Sequence, residues 1–256
     1  MHRALQARCE EILPHGRLDA LRQLSLFAVA YVGYETVRGL VGDSGPRALT
    51  NATRIIDFER ALHLLVEPQI QSWTTIHAHW LLDLADWTYL NAHLALTAAA
   101  LVFIYLRRNE SFYFVRNMFM VSMLIALVGY CVYPTAPPRL MPQWGFSDSI
   151  RQFTGVNADQ GAVGVLLNPY AAVPSMHVCF ALMISLPMSR LVHSAPARLL
   201  WRAYPLWIVF VVVVTGNHYF TDVVLGALTA ALSAACAKQL FARARPDVWA
   251  FDVAGP

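Results

Sequence analysis

Charged residues are scarce in this sequence: Asp, Glu, Lys and Arg make up 14% of the 256 residues, while hydrophobic residues make up 57%. A water-soluble domain of this size carries about 25% charged residues, so the composition predicts a membrane protein. The sequence has no long basic run and a net charge of only +3, so we expect no nucleic-acid partner. We also expect no cleavable signal, because the basic start leads into an apolar stretch without a small-residue cleavage site, a pattern that predicts a retained first span.

Cysteine is also rare, and its spacing excludes a CxxC metal site and argues against a disulfide framework. The four cysteines are far apart in the chain: Cys9, Cys131, Cys179 and Cys236. One histidine- and aspartate-containing stretch resembles a loose metal site, formed by His77, His79, Asp83 and Asp86. Because no second pair of ligands closes that site, we expect neither a metal nor another cofactor.

Long apolar segments dominate the rest of the chain. We predict six membrane spans, at about 21–41, 87–106, 117–138, 174–191, 203–216 and 219–237. Segments of about 20 residues suit a hydrocarbon core of roughly 30 Å. The predicted fold is all-α: an integral membrane six-helix bundle that forms a single catalytic domain over 21–241, between an N-terminal segment, 1–20, and a tail, 242–256.

The connection between the first two spans contains an amphipathic helix, which we place at about 51–73. Its apolar residues recur at helical spacing: Ile55, Phe58, Leu62, Leu65 and Val66. This pattern is typical of a helix lying in the membrane interface. Prolines after Tyr133 end the third span, so a long loop follows over 134–173.

The distribution of Lys and Arg predicts the orientation in the membrane. With six spans, most of the 19 Lys and Arg residues fall at the two termini and in the turns near 107–116 and 190–202. The opposite side holds fewer: Arg47, Arg54, Arg60, Arg139 and Arg151. The positive-inside rule then places both termini in the cytoplasm and the long loops outside or in a lumen.

Two histidines and an aspartate stand at the outer ends of predicted spans. His218 and Asp222 are four residues apart, so on a helix the carboxylate accepts one ring N–H and raises the basicity of the other nitrogen. His177 follows Pro174 and Ser175 at a helix start, where backbone N–H groups favour an anion. Such a histidine stays protonated beside a phosphate and can protonate a leaving oxygen.

Arg139 adds a cation that is able to bind phosphate through two hydrogen bonds, although an interfacial anchor explains it equally well. Ser175 is also explained as a helix cap. Together, a nucleophile (His218), its orienting carboxylate (Asp222), an acid (His177) and an anion clamp suit phosphoryl transfer through a phosphohistidine.

The motifs V-P-S-M-H (173–177) and N-H-Y-F-T-D (217–222), in apolar surroundings, resemble the type 2 phosphatidic acid phosphatase superfamily. With Y-P-T-A-P-P-R (133–139) they resemble more narrowly its inositol phosphorylceramide synthase-like branch, the inositolphosphotransferases. The resemblance covers the last two-thirds of the chain. It implies a six-helix bundle without metal, a phosphoenzyme on His218 oriented by Asp222, His177 as acid, and phosphate contacts from Ser175 and Arg139.

The sequence departs from the superfamily pattern at two places in these motifs. Met176 replaces the glycine of P-S-G-H, and Val212 stands where an arginine is usual, six residues before the nucleophile. The K-x6-R-P signature occurs only as Lys238 to Arg245–Pro246, beyond both histidine motifs, which we interpret as chance. The missing arginine favours the transferase-like branch over a simple phosphatase.

Four more polar residues are candidates for substrate binding: Asn217 and Tyr219, which flank His218, and Asn91 and His93, near the outer end of the second span. For the last two, hydrogen bonding between helices is an equal alternative. Glu35 and Arg38 are predicted to pair with each other.

The predicted partners are a membrane lipid substrate and the bilayer. The leading hypothesis is a transferase that moves a phospho-headgroup, such as inositol phosphate, between a lipid and a hydroxyl acceptor. The alternatives are a phosphatase acting on phosphatidate or polyprenyl phosphate, a transporter with a histidine proton relay, and an inactive structural protein.

Overall fold

The computed structural model describes residues 13–40, 45–155 and 170–241, so the first part of the N-terminal segment, much of the long loop and the tail 242–256 lie outside the described residues. The described residues form helices and turns, with no β-strand and one isolated bridge between Thr135 and Ala171. The helices are α1 (Gly16–Leu40), α2 (Gly45–Ala61), α3 (Glu67–His77), α4 (His79–Trp87), α5 (His93–Arg107), α6 (Asn109–Val132), α7 (Ser149–Thr154), α8 (Met176–Leu191), α9 (Ala195–Val214) and α10 (Phe220–Cys236).

Four helical segments are long and apolar enough to cross a membrane. They are His79–Arg107, in which a π-helical turn (Thr88–Ala92) joins α4 to α5, Asn109–Val132, Ala195–Val214 and Phe220–Gln239. Large apolar side chains on these segments remain exposed, as lipid-facing residues would be: Leu94, Val102, Leu124, Leu206 and Leu232. The all-helical fold and the membrane class are therefore confirmed.

The other two predicted spans also coincide with helices, but neither reaches the length and hydropathy of the four. Residues 21–40 of the first predicted span lie in α1, and residue 41 is outside the described residues. The segment 174–191 corresponds to α8, a shorter apolar helix. A bundle of six crossing helices thus stays a prediction.

The amphipathic helix predicted over 51–73 is two helices, α2 and α3. The chain turns between them, where His63 has a φ of +56° and the Leu64 N–H donates to the Glu59 carbonyl at 2.8 Å. Pro68, in the first turn of α3, has no N–H to donate to a preceding turn, so a helix begins there readily but does not run through it.

The predicted span 117–138 is displaced, because α6 begins at Asn109 and ends at Val132. Pro134 follows closely and cannot continue the helix, and after it the chain forms short 3-10 turns, Pro138–Leu140 and Pro142–Trp144.

The central helix of the fold is α8, which packs against α5, α6, α9 and α10. Its buried face carries Cys179, Met183 and Ile184, which join the largest apolar core. The N-terminal end of α8 lies beside the start of α10, on which α8 packs. The candidate site lies at this junction.

Candidate active site

His218 lies in the turn between α9 and α10. The N–H groups of Asn217 and His218 both donate to the Val212 carbonyl at 3.0 Å, which closes the turn. Gly216 has a φ of +68°, and a Cβ at this position would lie 2.9 Å from the Ser147 carbonyl oxygen. Only glycine fits that conformation and that space, so the position of His218 depends on it.

His218 contacts Asp222, although not on a shared helical face as predicted. His218 precedes α10, and the Asp222 side chain reaches back to it, with Nδ1 and Oδ2 3.3 Å apart. The same carboxylate oxygen accepts the Tyr219 N–H at 3.0 Å, as a helix cap does. If Nδ1 donates to this buried carboxylate, Nε2 keeps its lone pair for a substrate.

His177, the second residue of α8, lies beside His218. Their ring centroids are 5.9 Å apart. The ring of Tyr89, in the π-helical turn, stacks on His177 with a centroid distance of 4.3 Å. Two imidazoles and a carboxylate therefore meet at one place.

The two helices that bring these groups together approach closely. The Ser175 N–H donates to the Asp222 carbonyl at 3.1 Å, and a Cβ on Gly226 would overlap the Ser175 carbonyl. The buried Ser175 Oγ accepts the Val178 N–H at 3.5 Å and caps α8, and Ser175 does not line the cavity described next. Its observed role is that of a helix cap.

A cavity of about 310 Å³ adjoins the two histidines. Its polar lining consists of the two histidines, three arginines, three tyrosines, an amide and one carboxylate: His177, His218, Arg38, Arg139, Arg151, Tyr34, Tyr89, Tyr130, Asn217 and Asp148. Arginine and histidine donors around such a space suit an anion.

Of the predicted substrate-binding residues, Arg139 and Asn217 line this cavity and contact each other. Arg139 Nη1 donates to Asn217 Oδ1 at 2.7 Å, and the Arg139 N–H donates to the Gly216 carbonyl at the same distance. His93 lies behind His177, with its ring centroid 5.1 Å away, and its Nδ1 is 2.8 Å from the Tyr204 hydroxyl.

Tyr219 and Asn91 do not line the cavity. Tyr219 is fully buried, donates its hydroxyl to the Ala136 carbonyl at 3.3 Å and packs edge-on against Phe146. Asn91 is exposed and donates to the Trp87 carbonyl of its own helix at 3.3 Å. The geometry thus gives Tyr219 a packing role.

The sequence reasoning did not identify Tyr34, Tyr89, Tyr130 or Arg38 as residues around the cavity. No motif marks the tyrosines. Arg38 forms the predicted pair with Glu35, at 3.3 Å, but it also reaches the cavity. A charged residue within an apolar segment was the available signal, because such groups are usually functional.

Comparison with known families places these motifs in a wider context. A family model described as PAP2 superfamily matches residues 53–236, from α2 to the end of α10. The chain belongs to the PAP2 superfamily. Membership supports a function of the phosphatase or phosphotransferase type and confirms the superfamily resemblance. Neither the curated proteins nor the solved structures gave a match.

Two buried glutamates in the matched region hold the start of α10. The Thr221 N–H and hydroxyl both donate to Glu59 Oε1 at 2.7 Å, and the Phe220 N–H donates to Glu67 Oε1 at 3.0 Å. With Asp222, three carboxyl groups thus lie at the positive end of this helix. They fix the position of the turn that presents His218.

We expect the conformational stability of this PAP2 protein to fall as the pH rises from about 4.5 to about 8. Burial, and next the neighbouring Glu59 carboxyl, raise the pKa of Glu67 from 4.5 to about 8. In that window folded Glu67 keeps a proton that the unfolded chain releases, so the free energy of unfolding falls by at most about 1.4 kcal/mol per pH unit. Melting temperatures in detergent micelles between pH 5 and 9 measure this.

The variant Glu67→Gln isolates the effect, because glutamine keeps an oxygen for the Phe220 N–H but does not titrate. We expect the melting temperature of this variant to decline less steeply with pH than that of the wild type. The control variant Glu110→Gln changes an exposed glutamate, and its melting temperature should decline as steeply as that of the wild type. Parallel pH profiles for Glu67→Gln and the wild type would contradict the assignment.

Proposed function

We propose that this protein is a membrane-embedded, metal-independent phosphotransferase of the inositol phosphorylceramide synthase-like branch. It moves a phospho-headgroup, such as inositol phosphate, from a lipid donor to a hydroxyl acceptor at the extracytoplasmic face. One observation supports this proposal: His218, Asp222 and His177 lie together beside a cavity lined by arginines.

In the first step of the proposed reaction, His218 Nε2 bonds to the phosphorus of the lipid phosphoester. The bond from phosphorus to the lipid oxygen breaks, and His177 protonates the departing oxygen, which leaves as the lipid alcohol. Asp222 stabilises the positive charge that the His218 ring acquires. Arg139 neutralises charge on the phosphoryl oxygens.

In the second step the acceptor hydroxyl bonds to phosphorus, its proton passes to His177, and the bond to Nε2 breaks. The product is a new phosphoester, and both histidines return to their starting states. When the donor is a phosphomonoester such as phosphatidate and the acceptor is water, the same two steps release inorganic phosphate, which is the phosphatase reaction that superfamily membership supports equally. The absence of an arginine at position 212, where Val212 stands, favours the transferase.

The proposal is tested with purified protein, an inositol phospholipid carrying ³²P in its headgroup and a lipid acceptor with a free hydroxyl. We expect the label to enter a new phosphodiester, the lipid alcohol to appear in equal amount, and the rate to be unchanged by EDTA. A parallel reaction contains labelled phosphatidate.

Each product pattern decides between the candidates. Release of inorganic phosphate from labelled phosphatidate, without transfer of label from the inositol phospholipid to the lipid acceptor, would replace the transferase with the phosphatase. Absence of turnover with all donors, together with transmembrane flux in vesicles, would overturn the enzyme in favour of a transporter.

A further inference from the structure

We infer that Arg38, on α1, is a phosphate-binding residue of this site, an assignment that rests on the proposed function. Arg38 precedes residues 53–236, the region that the superfamily model matches. It nevertheless lines the same cavity as His177, His218 and Arg139. The first helix thereby contributes to a site whose other groups come from the matched region.

Position 212 does not supply the cation that the superfamily pattern places there to bind phosphate. The superfamily resemblance predicts an arginine there, but Val212 is fully buried. It packs among apolar side chains of α8 and α9, namely Val178, Ala181, Ile208 and Val213. The side chain at 212 therefore supplies no charge, and any replacement has to come from elsewhere in the fold.

Contacts of α1 fix Arg38 at the cavity. Tyr34, one helical turn earlier, is buried, and its hydroxyl donates to the Tyr130 hydroxyl at 3.2 Å. The Tyr130 hydroxyl lies 3.4 Å from the Pro174 carbonyl, just before α8. This chain of contacts ties α1 to α6 and to the segment that presents His177.

The charge at Arg38 suits a phosphoryl group. Its guanidinium lies 3.3 Å from Glu35, with both side chains about one-quarter exposed. Arg38 joins two other arginines on the cavity, Arg139 and Arg151, and together they are able to neutralise charge that spreads over the phosphoryl oxygens during transfer. Arg38 thus adds a cation to a cavity to which Val212 contributes none.

The test compares Arg38→Ala, Arg38→Lys and Glu35→Gln with labelled lipid donor. We expect Arg38→Ala to lower kcat/KM by about 10²- to 10³-fold, the usual effect of removing one transition-state donor. The kcat/KM of Arg38→Lys should lie between those of Arg38→Ala and the wild type, because lysine keeps the charge but cannot form the bidentate hydrogen bonds of arginine. Glu35→Gln breaks the same ion pair but leaves the guanidinium in place, so its kcat/KM should stay within about threefold of the wild-type value.

Equal losses in Arg38→Ala and Glu35→Gln would show that the ion pair acts only structurally. An unchanged kcat/KM in Arg38→Ala and Arg38→Lys would overturn the assignment as well. If melting temperature and gel filtration show that Arg38→Ala does not fold, the kcat/KM of Arg38→Lys is compared with that of Glu35→Gln instead.

A binding measurement separates failure of this inference from failure of the proposed function. Inorganic phosphate is titrated against His218→Ala with and without Arg38→Lys, using thermal stabilisation. Weaker binding in the double variant supports Arg38 even if no lipid turns over. Equal phosphate affinity in the two proteins, or no binding to either, counts against it.

Discussion

His218→Ala is expected to reduce kcat by about 10⁴-fold or more, the scale of loss when an enzymatic nucleophile is removed. The change removes the nitrogen that bonds to phosphorus and leaves Asp222 and the cap of α10 in place, since that cap uses the Tyr219 N–H. Steady-state turnover of ³²P-lipid measures the loss. Quenching in alkaline SDS should yield a protein label in the wild type, but not in the variant, and that label should be stable to alkali and labile to acid.

The chain contains its own control for this experiment. His79 and Asp83 are also four residues apart, with Nε2 and Oδ1 3.8 Å from each other, but both side chains are about half exposed and neither lines the cavity. His79→Ala should retain wild-type activity. Normal labelling and turnover in His218→Ala would show that no phosphohistidine forms at this position.

The location of the site was predictable because its markers are local. Prolines, glycine and polar residues interrupt the apolar segments at 133–139, 173–177 and 215–222, which places them at helix ends. A compact bundle of antiparallel helices brings helix ends on the same side of the bundle close to one another. The His218–Asp222 contact also depends on residues only four positions apart.

The detailed geometry was less predictable, because spacing alone does not distinguish a helix from its cap. His218 and Asp222 are in contact although His218 precedes α10, since a side chain in the first turn folds back toward the preceding residue. Tyr219 sits next to His218 in the motif, yet adjacent side chains point to different sides and Tyr219 enters the core.

Contacts between segments that are far apart in the chain could not be predicted from the sequence. Arg38 lies some 140 to 180 positions before the two histidines, and the pattern around it indicates only a pair with Glu35. Glu59 and Glu67 were part of an amphipathic pattern, and only the folded chain shows that they hold the N–H groups of α10. Long-range polar contacts of this kind depend on how helices pack.

These contacts explain how buried acidic groups are tolerated around a site for anions. Glu59, Glu67 and Asp222 each accept a backbone N–H at the start of α10, so their carboxyl oxygens face the positive end of that helix. The arginines Arg38, Arg139 and Arg151 line the cavity itself. In the proposed mechanism the three carboxyl groups position His218, and the arginines bind the phosphate.

Asp222→Asn is the second change with a large expected effect. Asparagine keeps an oxygen for the Tyr219 N–H, so we expect α10 to stay capped and the protein to fold. It carries no charge, however, and therefore does not stabilise the positive ring that forms when Nε2 bonds to phosphorus. We expect kcat to fall by about 10²- to 10⁴-fold, as for other histidines deprived of a carboxylate partner.

The kinetic pattern tests whether Asp222 acts through His218. Loss of the carboxylate should lower kcat with little change in KM, and it should add no further loss when combined with His218→Ala, since both act on one group. The matched change Asp83→Asn, in the exposed His79–Asp83 pair, should leave kcat unaltered. Wild-type kcat in Asp222→Asn, with unchanged melting temperature, would mean that His218 needs no carboxylate and would remove Asp222 from the mechanism.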